Sequence, residues 1–331
     1  MIRLVQLHHG AERRVALVDE PRLRLLKTFD SVFAFASAAI AAAQSLTSLV
    51  NAHVTDDSLD YDAVYAGRSP WRLLAPIDHP IEPARCLVSG TGLTHLGSAK
   101  NRQAMHAVTA DETDSLKMFR WGVEGGKPAP QQIGTAPEWF YKGNGTILRA
   151  PGEPLDVPSY AEDGGEEAEI AGVYLVDPLG QPRRIGMAIG NEFSDHVFER
   201  KNYLNLAGSK MRSCAIGPEL VVDPAFESVA GTVTIERAGK TFWSQAIATG
   251  EAEMCHSLAN IEHHHFKFET HRRPGDLHVH YYGAHSLSFG AGVRLAEGDV
   301  MAIAFENFGR PLRNPLRVAS GPAGLVTIIP L

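Results

Sequence analysis

The chain has 331 residues, 44% hydrophobic and 21% charged, with 31 Lys or Arg against 38 Asp or Glu and a formal charge of −7. That is the composition of a mildly acidic globular protein, which excludes a disordered or coiled-coil chain and argues against a nucleic-acid-binding face. Three scattered cysteines, Cys86, Cys214 and Cys255, show no C-x-x-C spacing. They argue against a disulfide framework or a thiolate zinc site and fit a reducing, cytoplasmic setting.

In chain order, Ile2–Leu7 and Arg14–Val18 alternate about a His-Gly turn and predict a hairpin. The opening apolar run is too short and interrupted for a secretory signal. Ser31–Val50 is uncharged and long enough to span a bilayer, but it is rich in Ala, Ser and Thr and contains Gln44. It reads as one packed helix rather than a membrane span, capped by Asp30 or Ser31, with Phe35, Ala39, Ala42, Leu46 and Leu49 on one face. Asp56, Asp57, Asp60 and Asp62 read as an acidic loop. The Pro-punctuated stretch Leu73–Pro83 marks a crossing between a small N-terminal α/β domain, residues 1–80, and a larger one, residues 81–331. The larger part consists of short apolar runs separated by Gly and Pro, with one later helix around Met254–Phe266, so the fold class is α+β, mainly β.

Several motifs fail on inspection. Gly122–Lys127 is one residue short of a P-loop and has Pro128 in place of Ser or Thr, and Gly90-Thr-Gly92 lacks the third glycine of a dinucleotide loop. No G-x-S-x-G elbow is present. Eight of the fifteen histidines lie between His256 and His285. The pair His278-x-His280 invites a His-ligated metal protein of the oxygenase kind, yet no Glu follows it, and His263, His264 and His265 point in different directions on a helix. The plainer expectation is a polar helix surface and a wet strand.

The informative stretch runs from Glu166 to Glu192. Asp177-Pro-Leu-Gly180 is a turn signal between two apolar runs and predicts a β-hairpin. Alternate strand residues share a face, so Glu167 and Glu169 project together. Folding back about Gly180 returns Glu192 opposite Glu169 to within a one-residue bulge, with the small Gly190 and Ala188 leaving room beside them. Three converging carboxylates repel unless protons or a cation join them, and oxygen-only ligation selects magnesium or manganese.

Taken together, Glu167-x-Glu169-Ile-Ala, Gly186-x-x-x-x-Asn191-Glu192-x-Ser194, Lys210, Ile216-Gly-Pro-Glu-Leu-Val, Pro137-Glu138-Trp-Phe140-Tyr-Lys142 and Ser89-Gly-Thr-Gly-Leu93 resemble the fumarylacetoacetate hydrolase superfamily over roughly residues 73–318. The resemblance implies a mixed β-sandwich roll with a magnesium site at its mouth, held by Glu167, Glu169 and Glu192. Glu192 departs from the usual Asp by one methylene. Hydrolytic members carry a His and a Glu that activate water. Here Ser98 stands where that His belongs, so the chain most resembles the 2-keto-3-deoxy-D-arabinonate dehydratase branch.

That resemblance implies a homodimeric or higher hydro-lyase of pentose catabolism, acting on a small 2-keto acid with Mg2+, or Mn2+ in its place. A 2-keto-3-deoxypentonate would give 2,5-dioxopentanoate, with Lys210 and Glu138 as catalytic groups and Lys142, Ser89, Gly90, Tyr282 and Gly283 as substrate contacts. Lys210 is expected to act as acid or base through a pKa lowered by burial, in a loop at the edge of the site. The alternative is an acylpyruvate hydrolase cleaving a carbon–carbon bond, with His95 as the replacement base.

Overall fold

A computed structural model describes residues 1–97, 99 and 113–331. The opening hairpin forms as expected, β1 (Ile2–His9) with β2 (Glu12–Asp19), and continues into β3 (Arg22–Leu26) and β4 (Val54–Asp60). Alternation along β1 feeds two cores. Leu4 packs with Phe35, Ala36 and Ala39, while Val5 and Leu7 pack with Leu23, Tyr61 and Val64 on the other face.

The rest of the chain adds β5 (Arg72–Leu73), β6 (Cys86–Gly92), β7 (Glu138–Asn144), β8 (Leu148–Arg149), β9 (Leu155–Val157), β10 (Ala168–Val176) and β11 (Pro182–Asn191). It is completed by β12 (Cys214–Ile216), β13 (Leu220–Val222), β14 (Val229–Arg237), β15 (Lys240–Thr249), β16 (Leu277–Tyr281), β17 (Val300–Phe305) and β18 (Leu312–Val318). One mixed sheet runs β4-β3-β2-β1-β13-β11-β10-β16-β6-β7, with β16 and β6 parallel. The β1–β13 pairing, Leu4 against Leu220, makes the strands of the first eighty residues an extension of this same sheet. A second sheet, β15-β14-β17-β18-β9, packs on it through Ile170, Met187, Ile189, Val233 and Ile303.

Three expectations are corrected. The helix expected over Ser31–Val50 is two helices, Val32–Ala41 and Leu46–His53, bent by 114°. The chain breaks where Ala43 takes φ 51° and the Ser45 hydroxyl accepts from Ser48 N–H at 3.1 Å, a cap that starts the second helix. Phe35, Ala39 and Leu49 are buried as expected, whereas Ala42 is exposed at the break. Among the described residues no single helix is long and apolar enough to cross a membrane.

The acidic loop is instead strand β4 followed by the helix Tyr61–Tyr65, which Asp60 caps by accepting from Ala63 N–H at 3.0 Å. Exposed Asp56 and Asp57 then decorate a sheet edge, where charge discourages further pairing.

The third correction concerns histidine. The helix Leu258–Phe266 exposes His263 but buries His264 and His265, and the expected wet strand is β16, enclosed between β10 and β6. There the His280 ring stacks on His265 at 4.3 Å, its nitrogens hydrogen-bonded to the hydroxyls of Ser89 (2.8 Å) and Thr91 (2.7 Å). His278 Nδ1 lies 3.0 Å from His265 Nε2. Burial pushes His278 and His280 down to about 3, so both are neutral imidazoles.

A group whose pKa falls on folding takes up protons on unfolding, so stability is complete above its unfolded value of about 6.5 and declines as the pH drops below it. The decline is on the order of 1.4 kcal/mol per pH unit for each such histidine. The urea midpoint is therefore expected to fall between about pH 7.5 and about pH 5. His278→Gln/His280→Gln is expected to flatten that fall, and an unchanged slope would contradict the assignment.

Candidate active site

The carboxylate cluster grows from the β10–β11 hairpin. All nine residues of β10 are buried, since the strand is covered on both faces. The register places Glu169 opposite Gly190, and Glu192 N–H donates to Glu167 O at 3.0 Å. Glu192 thus stands opposite Glu167 rather than Glu169, because the hairpin folds back with Val176 opposite Pro182, a register that would bring Glu192 to Glu166, and the bulge at Val173/Tyr174 moves it on by one residue. The three side chains still share a face, with one oxygen from each lying within 4.8 Å of the others. The room expected beside Gly190 is filled by Tyr281, whose ring would lie 2.5 Å from a Cβ there.

Each carboxylate accepts its hydrogen bonds through one oxygen. Glu167 Oε1 accepts from Lys210 Nζ (2.5 Å) and lies 3.0 Å from His196 Nε2. Glu169 Oε2 accepts from Gly283 N–H at 2.7 Å. Glu192 Oε2 accepts from Lys210 Nζ (2.6 Å) and the Ser194 hydroxyl (2.8 Å). Lys142 Nζ stands 2.5 Å from Glu192 Oε1 as an ion pair, while its hydrogen bonds go to the carbonyls of Phe193 (2.7 Å) and Lys210 (2.9 Å). Both lysines are buried, and Lys210 Nζ also lies 4.8 Å from the centre of the Phe140 ring.

Charge follows from this packing. Burial works to raise the Glu167 pKa, but the cations Lys210 and His196 prevail and hold it well below the usual carboxylate range. Glu169 has no such cation, and burial together with Glu167 and Glu192 pushes it well above that range. Lys210 corrects an expectation: burial does oppose its charge, yet Glu167 and Glu192 raise its pKa, so it is a firm ammonium. Nor is it on a loop, for it ends the short helix Leu206–Lys210.

The strained Glu169 marks an excess of negative charge that a cation would relieve. An all-carboxylate donor set fits a hard divalent ion, which Glu167, Glu169 and Glu192 would hold. It is the only group of three or more potential ligands converging this closely among the described residues. His278 and His280 do not belong to any such group among the described residues, and both His280 nitrogens are taken by Ser89 and Thr91.

A narrow cleft opens over the cluster, walled by Gly92, Leu93, His196, Glu199, Gly283 and Leu287. Glu138 stands behind Gly92, where a Cβ would lie 2.8 Å from its carboxylate, so glycine lets it approach. Of the expected substrate contacts, Gly283 lines the cleft and Lys142 reaches the cluster. Ser89 turns to His280, and Gly90 faces the Phe140 ring at a would-be 2.4 Å. Tyr282 shares the strand parity of Ile170, so its hydroxyl pairs with that of Tyr174 and its ring packs in the core between the sheets. His95, the base required by a hydrolase, is buried between Thr94 (2.9 Å) and Thr249 (3.1 Å), and burial lowers it to about 3. Ser98 lies outside the described residues.

Sequence reasoning missed His196 and Glu199. Asp195 places both by capping the helix His196–Lys201 through Phe198 N–H (2.9 Å) and by accepting from Arg212 at 3.0 Å. The signal was present as a polar run, Ser194-Asp195-His196, directly after a ligand candidate. Glu166 was also passed over. Its carboxylate accepts from the backbone and hydroxyl of Ser288, tying down the Leu287 side of the cleft.

No family model and no curated protein matches the chain. Solved structures do match. A structure of 2-keto-3-deoxyarabinonate dehydratase aligns with 96% of this chain and all of its own at 20% identity, with a TM-score of 0.72. The same enzyme complexed with magnesium and 2,5-dioxopentanoate aligns over the same shares at 19% identity and a TM-score of 0.71. A 5-carboxymethyl-2-hydroxymuconate delta-isomerase from Mycobacterium smegmatis also matches over 96% of this chain and all of its own, at 17% identity and a TM-score of 0.57. The chain has the mixed β fold of the fumarylacetoacetate hydrolase type that these structures share.

Removing Lys210 takes away the ammonium that two buried carboxylates share, leaving Glu167 with His196 and Glu192 with Lys142. Lys210→Met is expected to lose about 3–5 kcal/mol of stability in chelator. It should recover much of that in millimolar magnesium, as read by urea unfolding under both conditions; equal stability in the two would contradict the site. Calorimetry of the wild type is expected to show one divalent ion bound per chain. Glu169→Gln should weaken that binding at least about tenfold, because one of three ligands loses its charge.

Proposed function

We propose that the chain is a metal-dependent hydro-lyase that removes water from a 2-keto-3-deoxypentonate to give 2,5-dioxopentanoate. The observation that carries this reading is an ammonium, Lys210, held against two members of a three-carboxylate cluster. It is supported by a shared fold with a dehydratase whose structure holds magnesium and that product.

Glu167, Glu169 and Glu192 would hold a divalent ion, which would supply Lewis acidity toward the carboxylate and keto oxygens of a 2-keto acid and so acidify its C3 proton. The chain does the rest. Lys210, as an ammonium, gives its proton to the C4 hydroxyl, which leaves as water. Glu138, behind Gly92, takes the C3 proton directly or through one water, and the resulting 3-ene tautomerises, a C5 proton passing to C3 and the 5-hydroxyl proton to C4, to give the aldehyde. Lys142 fixes Glu192 and offsets its charge, so that three carboxylates, two ammonium groups, a divalent ion and a monoanionic keto acid come close to neutrality. Leu93 and Leu287 limit the access of water to the reacting carbons.

The test is product analysis with a panel of 2-keto-3-deoxy aldonates and acylpyruvates in the presence of magnesium. A semialdehyde is expected, whereas pyruvate with a second acid would overturn the reading in favour of hydrolysis. Lys210→Arg keeps a cation in place but cannot release its proton near neutrality, so turnover is expected to drop by about a hundredfold or more. Retention of more than about a tenth of turnover would move the acid role away from Lys210.

A further inference from the structure

We infer that the arm following β18, Leu325–Leu331, docks in an apolar groove on a second copy of this chain, beside the helix Val32–Ala41 and strand β11. Ala319 N–H donates to Val157 O at 2.9 Å, and every residue from Ala319 to Leu331 is exposed. Leu325, Val326, Ile328 and Ile329 are 95%, 81%, 82% and 83% exposed, and Leu331 fully so. Single exposed aliphatic residues are ordinary on a protein surface. An uncharged run of Leu-Val-Thr-Ile-Ile, with high strand propensity and no cover from its own chain, marks a segment built to be buried elsewhere.

The body carries a groove of matching character. It has a volume of ≈ 550 Å³ and is floored by Ala36, Ala39, Ile40, Leu46, Ile185 and Val222, with Gln44, Arg183, Arg184 and Asp223 also lining it. It exists because the helix is lined with alanine and breaks before Leu46, leaving space that longer side chains would fill. None of the groups of the carboxylate cluster lines it, so the candidate active site does not account for it.

Area and symmetry select a second copy as the occupant. Five aliphatic side chains at about 60–120 Å² each, exchanged reciprocally and matched by the grooves, would bury on the order of 1,200–2,400 Å². A stable interface buries roughly 1,200–2,000 Å². Reciprocal exchange also closes at two copies and leaves no arm free, as two-fold assemblies require.

Light scattering of the full chain at micromolar concentration is expected to give at least twice the 35.9 kDa monomer mass. Hydrogen exchange should show the arm amides protected. Ile328→Asp/Ile329→Asp alters only exposed residues and so leaves the fold intact. It is expected to move self-association at least tenfold higher in concentration and to bring arm exchange to the free-peptide rate. Leu46→Glu, in the groove, should do the same. A monomer with an unprotected arm, or an arm variant that associates as tightly as the wild type, would overturn the proposal. An arm that stays protected in Leu46→Glu would overturn the choice of groove.

Discussion

Glu192 is fully buried between two lysines, and the rest of the site is arranged around that fact. A carboxylate removed from water is tolerable only if cations and donors accompany it. Lys142 comes from the edge strand β7, Lys210 from the end of a short helix, and Ser194 from the segment just beyond β11. Three separate parts of the chain are thereby fixed to one hairpin end. The same Lys210 reaches across to Glu167, so Glu169 is left as the carboxylate without a cation. The imbalance suits a small hard cation facing the three carboxylates.

Elsewhere the fold meets burial in the opposite way. Strand β16 brings His278 and His280 into the same sheet, a few residues from the Gly283 that orients Glu169. No carboxylate is paired with those rings. They shed their charge; both His280 nitrogens are satisfied by Ser89 and Thr91, and His278 Nδ1 by His265. Two polar clusters on one sheet therefore behave differently, one ionised and poised for a cation, the other neutral and structural. The difference lies in their neighbours rather than in depth.

Much of this was legible in the sequence because strand parity is a strong constraint. Glu167 and Glu169 had to share a face, and the turn at Asp177–Gly180 had to return Glu192 to their end of the hairpin. What parity could not supply was the bulge at Val173/Tyr174, which moved Glu192 opposite Glu167. The break at Ala43 and Ser45 was hidden because alanine-rich runs favour a helix until a capping hydroxyl competes with it. The depth of β16 was hidden as well, since a polar strand reads as exposed unless its partners on both sides are known. Lys210 came from the family resemblance, but its protonation state depends on neighbours that only the folded chain assembles. His196 was missed for the same reason.

The central claim is that these three carboxylates form a centre for one hard divalent ion beside Lys210. Anomalous diffraction from a crystal soaked in manganese tests it most directly. A single strong peak is expected within about 2.0–2.4 Å of an oxygen from each of Glu167, Glu169 and Glu192, with Lys210 Nζ drawn back from the ion. A map with no peak there, and Lys210 still bridging Glu167 and Glu192, would contradict it.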